Sequence, residues 1–404
     1  MRSADATSPP ADLRLVLWHK KGLEMNSSVT DARTLEAYGS RVRGCLLGGA
    51  IGDALGGPIE FWRLERIHRT CGPEGVKELL PATIAGTPVY GRITDDTQMT
   101  LFTVEGMIRA SVRTDRGLGF TVAVLHHAYD RWLDTQLLPG PDGERDGGLI
   151  NERWLYSRRA PGNTCLSALE VQRGGQRKPR QFGAAASNQS KGCGGVMRSA
   201  PFGLLPPWRW QPLDWQFDIA AEAAGYTHGH PTGQLASGAL AVLIGAIVRG
   251  EDLASSVGIA LRHLRQREHH EETTRALERA VEAARRPASA EVIESLGGGW
   301  IAEEALAIAV YAALVHPQPE EVLNALALSV THSGDSDSTG AICGSILGAL
   351  HGETALPPEL AFEVEGRGTI LTLADDFIYE FTANERLHGD YGPHTRWTDR
   401  YPGW

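Results

Sequence analysis

The chain has 404 residues, with 49 acidic against 39 basic side chains and a formal net charge of −10, so its whole-chain field repels nucleic acid. The five cysteines are odd in number and lack the paired C-x-x-C spacing of zinc or redox sites, which points to a reducing compartment. No uninterrupted apolar stretch reaches the roughly 18–20 residues that span a bilayer, and no signal-peptide core opens the chain; cytoplasm is expected, with neither nucleic acid nor membrane as partner.

In chain order, residues 1–40 stand apart, with Pro9, Pro10 and one apolar run at 13–18, and read as an appended arm, partly disordered or partner-binding. From 41 to 404, Ala- and Leu-rich segments alternate with Gly- and Pro-marked breaks, as in one helical domain. Residues 87–93 are the best strand candidate. Leu101, Val104 and Ile108 recur at helical spacing, as do Leu306, Val310, Ala313 and Leu314, and both stripes predict amphipathic helices. Residues 138–148 and 172–190 read as loops, and the longest apolar run, 235–248, is broken by Ser237, Gly238 and Gly245. Short basic clusters at 20–21, 173–180 and 262–267 read as solvated faces, and the pairs His126-His127 and His269-His270 as surface residues. The expected class is all-α: a compact bundle of many packed helices with little or no sheet.

Two clusters carry more oxygen than helix capping requires. Thr94, Asp95 and Asp96 precede a helical run, where one side-chain oxygen is enough to cap. Far along the chain, Asp335, Asp337 and Ser338 introduce another apolar helix, and carboxylates at i and i+2 with a neighbouring hydroxyl form a ligand set for a hard cation. If the two helix starts met, four carboxylates would crowd together, and magnesium or manganese would relieve their repulsion.

Gly52-Asp53-Ala54-Leu55-Gly56 with Glu60, then Thr94-Asp95-Asp96, then Gly334-Asp335-Ser336-Asp337-Ser338-Thr339-Gly340 stand in the order and at the separations of the ADP-ribosylglycohydrolase family, which the chain resembles over residues 41–352. Two middle motifs extend the likeness: Ser190-Lys191-Gly192-Cys193-Gly194-Gly195 and Thr227-His228-Gly229-His230-Pro231-Thr232-Gly233.

The resemblance implies the family's orthogonal helical bundle and two magnesium ions, or manganese, held by Thr94, Asp95, Asp96, Asp335, Asp337 and Ser338. It implies proton transfer by Glu60 and Asp96, and an ADP-ribose pocket at Ser190, Gly192, Cys193, Gly194 and His228. Cys193 departs from the pattern, because several relatives carry Asn there. The implied substrate is an ADP-ribosylated protein, with the arginine linkage favoured by the T-H-x-H-P-T-G and G-D-S-D-S-T-G sequences. Two alternatives stay open. Cys193, activated by His228 or His230, would make a cysteine hydrolase. The chain also resembles immunity proteins that block an ADP-ribosyltransferase toxin, with Leu15, Leu17 and Trp18 of the arm as anchors. The tail at 391–404, with Trp397, Tyr401 and Trp404, is given no function.

Overall fold

A computed structural model of the protein describes residues 31–84, 86–174, 183–209, 212–382 and 395–403. Its helices of at least eight residues are, in chain order, α1 (Ala32–Gly56), α2 (Leu64–Cys71), α3 (Asp95–Asp115), α4 (Ala123–Leu137), α5 (Asn163–Arg173), α6 (Leu213–Gly225), α7 (Pro231–Val248), α8 (Leu253–Leu264), α9 (Glu271–Ala283), α10 (Ala302–Val315), α11 (Val322–Val330), α12 (Ser336–His351) and α13 (Arg367–Thr382). Asp31 caps α1 by accepting from Arg33 N and Thr34 N at 2.9 and 3.0 Å, so residues 32–40 belong to the first helix. Leu15, Leu17, Trp18 and the basic pair at 20–21 lie outside the described residues.

The axis of the fold is the crossing of α1 and α12. Glycine recurs every fourth residue on one stripe of α1, at Gly44, Gly48, Gly52 and Gly56, and on α12 at Gly340, Gly344 and Gly348. The stripes meet antiparallel at main-chain contact. A Cβ on Gly44 would lie 2.4 Å from Gly348 O, one on Gly48 2.4 Å from Gly344 O, and one on Gly52 1.9 Å from Gly340 O. At Gly56 it would strike the Ser336 carbonyl at 2.3 Å. Interaxial distance follows the side chains at the contact, and here there are none. The seam thus brings the C-terminal end of α1, with Asp53 and Glu60 beyond it, to the N-terminal end of α12, with Asp335 and Asp337.

The two predicted stripes lie on helices, but neither helix is half-exposed. Almost every residue of α3 from Asp95 to Val112 is buried, and α10 is buried without a break from Ala305 to Ala313, so each is packed on most of its circumference. Helix α7 runs unbroken through Ser237, Gly238 and Gly245, which the sequence offers as interruptions. A Cβ on Gly238 would lie 2.6 Å from the Phe217 ring, and one on Gly245 2.3 Å from Gln216 Oε1, so both glycines admit α6. With its 18 residues α7 is long and apolar enough to cross a bilayer, yet 89% of it is buried within the protein.

Among the described residues, sheet is confined to a hairpin, β1 (Ala82–Ile84) with β2 (Thr87–Val89), pairing Ala82 with Val89 and Ile84 with Thr87. The strand is shorter than the expected 87–93. Gly91 turns the chain away at φ +65°, where a Cβ would lie 2.3 Å from Glu363 O. Residues 138–148 form the expected loop, pinned from below by Glu105, whose Oε1 accepts from Gly148 N and Leu149 N at 3.0 Å while Oε2 accepts from Arg131 Nη2 at 3.0 Å. Of the second expected loop, residues 175–182 lie outside the description. Arg173, Arg265 and Arg267 are spent on ion pairs with Asp134, Glu278 and Asp218.

His126 corrects the reading of the His126-His127 pair as surface residues, whereas His269 is exposed as expected. His126 is fully buried on α4, its Nδ1 accepting from Gly183 N at 2.9 Å and its ring 5.3 Å from that of Tyr226. The tail returns to the core: Trp397 Nε1 donates to Glu380 at 2.9 Å, Tyr401 is buried and donates to Asp376, and Arg113 reaches Gly403 O at 3.3 Å.

Candidate active site

Three helix ends, those of α1, α3 and α12, deliver their acids to one cleft of about 290 Å³, lined by Glu60, Asp95, Asp96, Asp335, Asp337 and Ser338. The two clusters touch through Ser338, whose Oγ donates to Asp96 Oδ1 at 2.8 Å across 242 positions of chain. Thr94 caps α3 by accepting from Asp96 N at 3.3 Å, and its hydroxyl is 3.4 Å from Asp96 Oδ2, which keeps it beside the acids. Asp335 N is held by Gly298 O at 2.8 Å and Asp95 N by Arg159 O at 3.1 Å, which fixes both acids through their main chain.

Asp53 is the organising residue that sequence reasoning passed over. Wholly buried, it accepts from Thr94 N at 2.9 Å, Thr97 N at 3.0 Å and the Thr97 hydroxyl, and so clamps the first turn of α3 to α1. The signal for it was a lone carboxylate in the apolar, glycine-rich half of α1 from Gly44 to Gly56. Such a residue stays inside only if it is hydrogen-bonded.

Burial, with the charges of neighbouring carboxylates second, raises the acid pKa values. Asp53 goes up to about 7 and Glu60 to about 10, the charges of Asp337 and its neighbours adding to the desolvation. Asp95, Asp96 and Asp335 are pushed well above the carboxylate range for the same two reasons, in the same order. The charges acting most strongly on these groups are therefore other carboxylates. As the side chains stand, no three His, Cys, Asp or Glu among the described residues are gathered tightly enough to enclose an ion. The fit to a divalent cation rests on the donor chemistry: hard oxygens, crowded and uncompensated, for which bound positive charge is the relief.

Another part of the wall comes from Gly192, Cys193, Gly194 and His228. A main-chain bridge between Gly192 and Ile301, with Cys193 N donating to Trp300 O at 3.2 Å, fastens this loop to the start of α10. Glycine is required at 194, where a Cβ would lie 2.8 Å from Cys165 Sγ and 3.0 Å from His228 Cε1. Buried Arg198 donates to Gly194 O and Thr227 Oγ1, both at 2.7 Å, and Thr227 in turn lies 2.8 Å from His228 Nδ1. Burial, aided by the Arg198 charge, lowers the His228 pKa to about 3, so the ring is neutral. With its Nδ1 engaged by Thr227, its Nε2 faces Gly192 and Gly194.

Ser190 stands behind this wall, its Oγ accepting from Gly192 N at 3.3 Å and lying 3.2 Å from Thr164 Oγ1. The Cys193 thiol donates to Asp335 Oδ2 at 2.9 Å, and burial together with the Asp335 and Asp96 charges drives its pKa up, the reverse of what a nucleophilic thiolate needs. That counts against the cysteine-hydrolase reading. Besides Asp53, sequence reasoning missed Phe61, Asn163, Thr164 and Trp300, which also line the cleft.

Fold and cleft together define a helical hydrolase built around an acidic, cation-fitting site. The ADP-ribosylglycohydrolase family model matches residues 34–387, and the chain belongs to that family. It is 26% identical over 340 residues to the uncharacterized protein YegU of Escherichia coli, covering 80% of this chain and 92% of that one. It is 25% identical over 341 residues to an ADP-ribosylarginine hydrolase of Pseudomonas putida, covering 84% and 78%. Among solved structures, one of an ADP-ribosylglycohydrolase-related protein complex superposes with a TM-score of 0.61 at 23% identity, over 86% of this chain and all of that one, and shares the fold. The expected all-α family fold is the one observed, and the chain is a glycohydrolase by family.

Proposed function

We propose that the protein hydrolyses the N-glycosidic bond between ADP-ribose and an arginine side chain of a modified protein, with two magnesium ions, or manganese, at the acidic cleft. The single observation that carries this is the Ser338–Asp96 contact, which makes one oxygen-rich floor of two distant motifs. The arginine linkage rests on the two motifs around His228 and Asp335 and on the likeness to the Pseudomonas putida hydrolase. Thr94, Asp95, Asp96, Asp335, Asp337 and Ser338 would hold the ions, with Asp53 behind them as a support. Held by these residues, magnesium would supply Lewis-acid polarisation of the sugar's oxygens.

The protein's own residues do the rest. Gly192 and Gly194 leave room for a phosphate-bearing ligand against bare main chain, and His228, neutral, offers a ring nitrogen to it. As the C1″–N bond breaks, water adds to C1″ and a proton must reach the departing nitrogen. Glu60 and Asp96 move these protons: Glu60 is partly exposed and exchanges with water, while Asp96 is fixed by Ser338. The free cysteines, the buried setting of α7 and the net charge of −10 support a cytoplasmic domain that includes the whole of α1, without a membrane or nucleic-acid partner.

The test is release of free ADP-ribose from an ADP-ribosylarginine protein with magnesium, with EDTA, and with Asp335→Ala plus Asp337→Ala. Magnesium-dependent release, lost in EDTA and in the double variant, is expected. Release that survives EDTA, or near-normal turnover by both Asp96→Asn and Glu60→Gln, would remove the metal site or the proton-transfer assignment respectively.

A further inference from the structure

We propose that Phe61 and Trp300 form the platform on which the guanidinium of the modified arginine lies, and so determine which leaving group the cleft accepts. This rests on the arginine reading above. The two rings stack with centroids 5.1 Å apart and planes inclined by 26°. Both line the cleft beside Glu60, Asp335 and Asp337, yet both are among the most exposed large apolar side chains, Phe61 at 70% and Trp300 at 42%. A bare aromatic pair at the edge of a carboxylate cluster has no structural task that a smaller or polar side chain would not serve.

Its geometry is held rather than incidental. Phe61 sits at φ +69°, a left-handed conformation that is a true outlier for a bulky residue and persists only where the surroundings enforce it. Behind Trp300, Cys193 N holds its carbonyl at 3.2 Å and Gly192 pairs with Ile301. Glycine at 298 leaves space for the indole, since a Cβ there would lie 3.0 Å from Trp300 Cδ1. The same turn that presents Glu60 to the cleft therefore presents Phe61 to Trp300.

The position of the pair selects its ligand. Phe61 directly follows Glu60, and Trp300 follows the turn whose Gly298 carbonyl holds Asp335 N at 2.8 Å, so both rings are tethered next to the acids, where the bond breaks. What projects past the ribose there is the leaving group. A guanidinium is planar and cationic, so a ring face attracts it through the aromatic quadrupole and the adjoining carboxylates attract its charge. A serine oxygen would gain neither contact.

The experiment compares wild type with Trp300→Leu, Phe61→Leu and the double variant. It reads kcat and KM for an ADP-ribosylarginine peptide, the calorimetric Kd of free ADP-ribose, and the melting temperature. Expected is a rise in KM of about 3- to 30-fold, with the ADP-ribose Kd and the melting temperature close to wild type. An unchanged KM overturns the proposal, as does an equal loss of ADP-ribose affinity, which would assign the rings to the nucleotide base. A wild-type protein that binds ADP-ribose but leaves the arginine linkage intact overturns the functional reading itself, whatever the variants do, and the platform with it.

Discussion

Replacing Gly52 with alanine tests the link between the glycine seam and the chemistry. The added Cβ would stand 1.9 Å from Gly340 O and 2.3 Å from Gly340 C, where ordinary contact begins at 3.4 Å, so α1 and α12 must separate by about 1.5 Å. The obstacle is main chain on a helix packed along its length, and no flexible side chain can swing aside. The cost therefore falls at or above the upper end of typical overpacking, about 3 kcal/mol, which in a domain of this size lowers the melting temperature by roughly 3–6 °C. Asp53 is the next residue, and α12 carries Asp337 and Ser338. A displacement above 1 Å between them should lower turnover of the folded protein by about 10²-fold. Gly44→Ala is the matched control: its Cβ would meet Gly348 O at 2.4 Å, but the position is about 13 Å along the helix from Asp53. Scanning calorimetry with single-turnover release of ADP-ribose at 20 °C should show both variants destabilised and only Gly52→Ala crippled in rate. A Gly52→Ala protein with wild-type melting and wild-type turnover would refute the reasoning.

Two further outcomes follow from the crowded acids. Magnesium at about 100 times its Kd should raise the melting temperature by roughly 3–5 °C over EDTA, and Asp335→Ala should abolish the rise; an identical shift in that variant would place the ion elsewhere. Because its thiol pKa is raised well above the ordinary 9.0, Cys193 stays protonated at pH 8, so in EDTA iodoacetamide should label it more slowly than in the unfolded chain, and Cys193→Ser should still release ADP-ribose. Peptide mass spectrometry decides the first point, and faster labelling of Cys193 in the folded protein would count against the buried thiol–carboxylate contact.

What was legible in the sequence is what depends on local residue order. Thr94-Asp95-Asp96 and Asp335-x-Asp337-Ser338 announce themselves by an excess of oxygen at a helix start, and the cleft gathers them. The strand at Thr87, the helical stripes at Leu101 and Leu306, and the loop at 138–148 are likewise properties of short windows. What was not legible depends on partners far away. His126 looks like any exposed histidine until Gly183 arrives to donate to it, and Gly238 and Gly245 look like breaks until α6 fills the space they leave. Asp53 and the Phe61–Trp300 pair fail for the same reason, since the residues that give them meaning lie tens to hundreds of positions away.

The seam also imposes an order in time. Its halves lie almost 300 residues apart, so the first of the described helices to be synthesised is among the last to find its mate. At roughly 5–20 residues per second, translation separates them by about 15–60 s, during which α1 offers an apolar, glycine-lined face with nothing against it. Competence for hydrolysis is then acquired late and all at once, when α12 closes on α1, and a chain that stops before Asp335 keeps Glu60, Asp95 and Asp96 but lacks Asp335 and Asp337 and has no site.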